Sequence, residues 1–179
     1  MAVKTALSEE EYLRTSFPGA DQEFRDGELI ERGMPDTPHS RVQRNLVWYF
    51  EVLRRIEKQP FEALAELRHR VRAGRYLIPD VSVHWPDAPK GRVPAGPPLI
   101  AIEILSPDDR MSEVRGKLAE YLEFGVRHIW LIDPSRRVLS LYDRAGLHDV
   151  PEFQLPEAGR KLIPSDLFED ARALLSKTF

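Results

Sequence analysis

Leu99-Ile100-Ala101-Ile102-Glu103-Ile104-Leu105 is the stretch on which the fold turns. Apart from Glu103 it is apolar throughout, and a near-continuous apolar run of strand length suits a central strand covered on both faces. Ser106-Pro107-Asp108 then breaks the strand, and a helix is expected over Asp109 to Phe124. Val114, Leu118 and Tyr121 form its inward stripe, and Gly125 stops it. His128 to Asp133 follows as a second strand. Strand, helix and strand make a β-α-β unit, so the two strands should lie parallel.

Working outward, Ala63 to Val71 and Tyr76 to Trp85 read as two strands joined near Ala73-Gly74. The proline-rich stretch from Pro86 to Pro98 (PDAPKGRVPAGPP) reads as one long irregular loop. Pro38 to Lys58 is the clearest helix, because Val42, Leu46, Tyr49, Phe50, Leu53 and Ile56 recur at helical spacing. Glu23 to Glu31 reads as a hairpin around the turn signal Asp26-Gly27. Ser8 to Arg14 is a short helix, with Ser8 and Glu11 at capping-box spacing. Val138 to Tyr142 is a further strand after Pro134-Ser135, and a last short helix starts at Ser165. The expected fold class is α/β (mixed α+β): one mixed β-sheet flanked by helices, in a single domain over residues 1–179.

The bulk composition agrees. The chain has 179 residues, 42% hydrophobic and 31% charged, ordinary for one globular domain. It has no cysteine, which removes disulfides, thiolate metal sites and a cysteine nucleophile. No apolar run approaches the ~20 residues of a membrane span, and Met1 to Ser8 lacks the apolar core of a signal peptide. A cytoplasmic protein with no membrane partner is expected. A net charge of −3 argues against indiscriminate nucleic-acid binding but allows a local basic face.

Polar residues that break an apolar pattern carry the functional signal. Glu103 sits inside the central strand, where a carboxylate is either salt-bridged or put to use. Asp80, in Ile78-Pro79-Asp80-Val81-Ser82-Val83, alternates against Val81 and Val83. It is either a solvated strand-start residue or a functional one. Lys117 lies three after Val114 and four before Tyr121, on the inward stripe of its helix. There it either snorkels or meets the site. His39 falls on the apolar face of the long helix. Glu31 ends the first hairpin, where a solvated glutamate is the simpler reading. Two carboxylates from neighbouring strands with a lysine beside them can hold a hard divalent cation, Mg²⁺ or Mn²⁺. Such an ion activates water and stabilises charge on a phosphate.

Pro79-Asp80, with Glu103 following 23 positions after Asp80, resembles the PD…(D/E)XK signature of restriction-type nucleases. The blocks Pro79-Asp-Val-Ser-Val83, Ala101-Ile-Glu-Ile-Leu-Ser-Pro107, Lys117-Leu-Ala-Glu-Tyr121 and Phe124-Gly-Val-Arg-His-Ile-Trp-Leu-Ile-Asp-Pro134 occur in that order. Together they resemble the restriction-endonuclease-like family called Uma-two. The hairpin Phe24-Arg-Asp-Gly-Glu-Leu-Ile-Glu31 and His39 match as well, so the resemblance runs from about Glu11 to Phe168. It implies a restriction-endonuclease-like twisted mixed sheet, a homodimer, and a magnesium-dependent DNA endonuclease without an organic cofactor. Asp80 and Glu103, with the Ile104 carbonyl, would hold the metal. The lysine of the signature would fall at Leu105, which can neither donate a proton nor bind phosphate. The resemblance implies that Lys117 takes its place, with Glu31 and His39 as further catalytic residues.

Arg68, Arg70 and Arg72 alternate along one expected strand and so share a face. They could contact the DNA backbone or protect a sheet edge with charge. Two other readings remain. One is an inactive nucleic-acid-binding or assembly module on the same fold. The other is a metal-independent hydrolase using the carboxylates as an acid/base pair. A serine hydrolase fits poorly, because Leu105-Ser106-Pro107 is not a nucleophile elbow.

Overall fold

The computed structural model describes residues 7–169. The expected N-terminal stretch before Leu7, and both ends of the expected domain, therefore lie outside the described residues.

The central run is strand β7 (Ile100–Ile104), and Met111–Phe124 is a helix. This helix ends at Gly125, whose φ of 95° closes the last turn in the left-handed region. His128–Asp133 follows as β8 and pairs with β7 in parallel, Glu103 opposite Leu131. That is the crossover that the β-α-β order requires. In chain order, the helices are α1 (Glu9–Arg14), α2 (Thr37–Arg55), α3 (Met111–Phe124) and α4 (Pro164–Phe168). The strands before β7 are β1 (Glu23–Arg25), β2 (Glu28–Ile30), β3 (Glu62–Ala65), β4 (His69–Arg72), β5 (Arg75–Leu77) and β6 (Val81–His84). Those after β8 are β9 (Val138–Asp143), β10 (Gly146–Val150), β11 (Phe153–Leu155) and β12 (Arg160–Leu162).

The strands form a six-stranded sheet in the order β10-β9-β8-β7-β6-β3 and a four-stranded sheet in the order β2-β1-β5-β4, with β11-β12 as a separate ribbon. Alternation along β7 and β8 divides the core in two. Ile100, Ile102, Ile104, Trp130 and Ile132 face α2, packing with Val42, Leu46, Phe50 and Leu53. Ala101, Ile129 and Leu131 face α3, packing with Leu118 and Tyr121. Both faces of β7 are covered, which is why its sequence is apolar at every position but one. Each such side chain stabilises the fold by about 1.5–3 kcal/mol. The β11-β12 ribbon closes the α2 side by laying Phe153 flat on Trp130, centroids 4.2 Å apart.

Two expected strands are each divided between the two sheets. Ala63 to Val71 becomes β3 and β4, because Glu66 turns the chain at a φ of 54°. Tyr76 to Trp85 becomes β5 and β6, because Pro79 lacks the N–H that a continuous ladder needs. The two corners are tied together, the Glu66 N–H donating to the Asp80 carbonyl at 3.3 Å. The carboxylate Asp80 thus stands where one sheet gives way to the other. Strands β10 to β12 are additions to the expected set, and α4 starts at Pro164, one residue before the expected Ser165.

Candidate active site

Helix α3 covers the face of β7 that carries Glu103, and this brings the sequence-singled residues together. The register Val81 to Ile102, carried one residue on, sets Asp80 opposite Glu103. Side chains so paired project on one face with Cβ atoms about 5 Å apart. Both line one cleft of about 330 Å³, with His39, Arg32 and Lys117.

Each carboxylate is held by specific donors. Asp80 Oδ2 accepts the Ile104 N–H at 2.7 Å, and Oδ1 accepts the Arg32 guanidinium at 2.7 Å. His39 Nε2 stands 3.3 Å from Oδ2. This histidine is placed by the cap of α2, where the Asp36 carboxylate accepts its N–H at 2.9 Å. Glu103 accepts Lys117 Nζ at 2.9 Å and the Tyr121 hydroxyl at 2.7 Å. Lys117 also meets Glu23 at 2.7 Å and donates to the Ile78 carbonyl at 3.2 Å. Glu23 in turn is met at 3.3 Å by the fully buried Arg75, whose Nε also bonds Glu120 of α3 at 2.6 Å.

Burial pushes the Glu103 carboxyl up to about 7, Lys117 drawing it down while Asp80 and Glu23 push it further up. Burial also raises Asp80, but the hydrogen bond and charge of His39, with Lys117 and Arg32, more than offset it and leave it low. Burial works against the Lys117 ammonium, yet the Glu103 and Glu23 carboxylates keep it firmly protonated. His39 likewise is disfavoured as a cation by burial but raised overall by Asp80. A buried carboxyl poised near neutrality beside an ionised one is a site that a cation would relax.

Among the described residues no three His, Asp or Glu side chains converge as a ready-made metal cage. The donor set on offer is the pair Asp80 and Glu103, hard oxygens both. It suits Mg²⁺, which takes one or two carboxylates and fills its remaining positions with water and substrate oxygen. Each carboxylate retains lone pairs beyond those its protein donors use.

The other expected residues stand as follows. Glu31 is exposed at the cleft's mouth and makes no ion pair among the described residues. The glutamate that meets Lys117 is Glu23, on the inner strand β1, because β2 lies at the sheet edge. Ile104 lines the cleft, and its amide is committed to Asp80. Arg68, Arg70 and Arg72 do not present an open basic face. Each is matched to its own carboxylate, Arg68 to Asp21, Arg70 to Glu9 and Arg72 to Asp26, and the ladder shifts register between Arg70 and Arg72. Arg32, Arg75 and Tyr121 belong to the site although sequence reasoning passed over them. Tyr121 alone carried a signal, as a tyrosine on the same stripe as Lys117.

The sequence model of the Uma2 family, described as "Putative restriction endonuclease", matches residues 9–176. Among solved structures, a putative nuclease belonging to DUF820 from Anabaena variabilis ATCC 29413 is 26% identical, with a TM-score of 0.77 over 90% of this chain and 97% of that one. A DrdV–DNA complex is 14% identical over 79% of this chain and 13% of that one, at a TM-score of 0.36, too loose a likeness to carry an argument. No curated protein matches. With nearly the whole chain covered by the family's model and a neighbour sharing its mixed sheets and flanking helices, the protein belongs to the Uma2 family of restriction-endonuclease-like proteins.

Proposed function

We propose that the protein is a divalent-metal-dependent endonuclease that hydrolyses phosphodiester bonds in DNA, working in the cytoplasm as a homodimer. The observation that carries this reading is the side-by-side placement of Asp80 and Glu103 on adjacent strands, with Lys117 closing on Glu103 from the next helix. Asp80 and Glu103, with the Ile104 carbonyl, would hold Mg²⁺ or Mn²⁺. When bound, the ion supplies Lewis acidity and an activated water at the scissile phosphate.

The protein's own groups do the rest. Lys117 keeps its proton and presents a fixed positive charge where negative charge grows in the transition state. Glu23 and the Ile78 carbonyl fix the ammonium in place, and Arg75 fixes Glu23. The Tyr121 hydroxyl orients Glu103. His39, anchored on Asp80, is placed to donate to a phosphate oxygen.

The test is cleavage of plasmid and single-stranded DNA by the purified protein with Mg²⁺, Mn²⁺ or EDTA, beside Glu103→Ala. Metal-dependent cutting that the variant loses is the expected result. Full activity in both Asp80→Ala and Glu103→Ala would overturn the assignment. A rival reading, an inactive DNA-binding module, draws on the donors that already occupy Asp80. It predicts neither cutting nor calorimetric heat with either metal.

A further inference from the structure

Among the described residues twelve arginines meet a carboxylate and seven do not. Arg41, Arg44, Arg92, Arg115, Arg136, Arg137 and Arg144 have, among the described residues, no carboxylate within 4.0 Å. The topology gathers all of these but Arg92 and Arg144. Arg41 and Arg44 follow His39 on α2, within about one and a half turns of the residue that touches Asp80. Arg136 and Arg137 lie in the turn after β8, and β8 runs parallel to β7, so this turn leaves the same sheet edge as Glu103.

One hollow continues from the acidic cleft, and a second opens beside the start of α2. The first shares Leu105, Ser106 and Asp109 with the cleft and is lined by Arg115 and Arg136. It also carries Asp109, Asp133 and Asp149, whose donors (the Ser106 N–H, the Arg136 N–H and the Ser140 hydroxyl) are neutral, so this hollow is not a basic one. The second hollow, of about 370 Å³, is lined by Arg41, Arg44 and Arg137, with the exposed Glu169 at its margin.

Two of these guanidiniums, those of Arg44 and Arg137, are oriented without being neutralised. The Asn45 side-chain oxygen accepts Arg44 Nη2 at 3.0 Å and Nε at 3.2 Å. Asn45 is itself buried and pinned, donating to the Leu167 and Glu169 carbonyls at 2.8 and 3.2 Å. Arg137 lies over the Phe168 ring, 5.3 Å from its centroid. It occupies a left-handed backbone conformation, φ 56°, that glycine would adopt more easily. An amide oxygen and an aromatic face fix direction and leave the positive charge available to an anion. Arg68 is the contrast, for it too stacks on an aromatic ring, Tyr12, but Asp21 neutralises it.

We propose that the sugar–phosphate backbone of duplex DNA leaves the acidic cleft past the start of α2, with its phosphates held by Arg41, Arg44 and Arg137. The choice of DNA rests on the nuclease reading, whereas the surface can be measured without cleavage. A fluorescein-labelled 30-base-pair duplex is titrated with the full chain in EDTA, by anisotropy, between 50 and 200 mM salt. Each phosphate contact contributes roughly 0.9 to the slope of log K against log salt. Arg41→Gln/Arg44→Gln/Arg137→Gln should therefore lower the slope by about 2–3 and weaken binding at least tenfold at low salt. The corresponding triple lysine variant should keep the slope, which separates charge from folding. Arg70→Gln/Arg72→Gln should match the wild type.

An unchanged slope in the triple glutamine variant overturns the proposal, as does an equal loss in both glutamine sets or no duplex binding by the wild type. Inorganic phosphate is titrated by calorimetry as well. If the triple variant loses phosphate binding but keeps its DNA slope, the pocket is a small-anion site and the proposal falls. Absent cleavage with the expected slope change would instead retain the surface and remove the nuclease reading.

Discussion

At the scale of single residues, the site turns on which group stands behind Lys117. Leu105 occupies the position where the PD…(D/E)XK pattern places its lysine, and it packs against the α3 side of the core. Lys117 reaches the same carboxylate from α3, 2.9 Å from Glu103, because the helix returns across that face of the sheet. Its other anion is Glu23. Glu23→Gln should lower kcat for DNA cleavage by about 10- to 100-fold, the usual cost of losing a group that orients another, and leave KM near the wild-type value. Glu31→Gln should stay within about twofold of wild type. Steady-state kinetics on one plasmid substrate checks both, and the reverse ranking would return the role to Glu31.

At the scale of elements, the sheet corner explains both what was legible and what was not. The β-α-β unit, the long helix and the hairpin at Asp26-Gly27 could be read because each depends on a local period or a local turn. Asp80, Glu103 and Lys117 were legible for the same reason, each interrupting a period of its own element. The division of two strands between sheets was not, since one left-handed residue at Glu66 and one proline decide it. Glu23, Arg32 and Arg75 were hidden too, because only the packing of the two sheets brings them to the cleft.

The corner also buries an unusual pair. His69 of β4 and His84 of β6 stack with ring centroids 5.5 Å apart, and both nitrogens of His69 lack a hydrogen-bond partner. Burial pushes His69 down to about 3 and His84 down to about 4, from 6.5. Both are lowered, so below pH 6.5 the unfolded chain takes up protons that the fold refuses. Their contribution is fully present above that pH and drains as pH falls toward about 4 and then 3. His69→Leu should remove about 2 kcal/mol of the stability loss between pH 7 and pH 5. Urea denaturation at the two pH values measures this, and a variant with the wild-type pH dependence would contradict it.

At the scale of the whole molecule, the cleft joins segments that are distant in sequence. β1, the loop carrying Arg32, the start of α2, the corner at Asp80, β7 and α3 all place a residue in it. A cation bound there would hold together both sheets and two helices, so its binding should register as global stability. At ten times its Kd, a ligand specific to the native state contributes about 1.4 kcal/mol. For a chain of this size that corresponds to roughly 3–6 °C in Tm. The gain must depend on pH in a definite sense. Glu103 is raised to about 7 in the metal-free fold, so below that value a proton competes with the ion for the same oxygens. Mn²⁺ should therefore raise Tm by several degrees at pH 8, and the shift should shrink steadily and nearly vanish by pH 5.5. Glu103→Gln should show no shift at either pH while remaining folded, since its amide can still accept the Tyr121 hydroxyl. Thermal denaturation with and without Mn²⁺ settles the point. A shift that is the same at both pH values, or that survives in Glu103→Gln, would place the ion somewhere other than on these carboxylates.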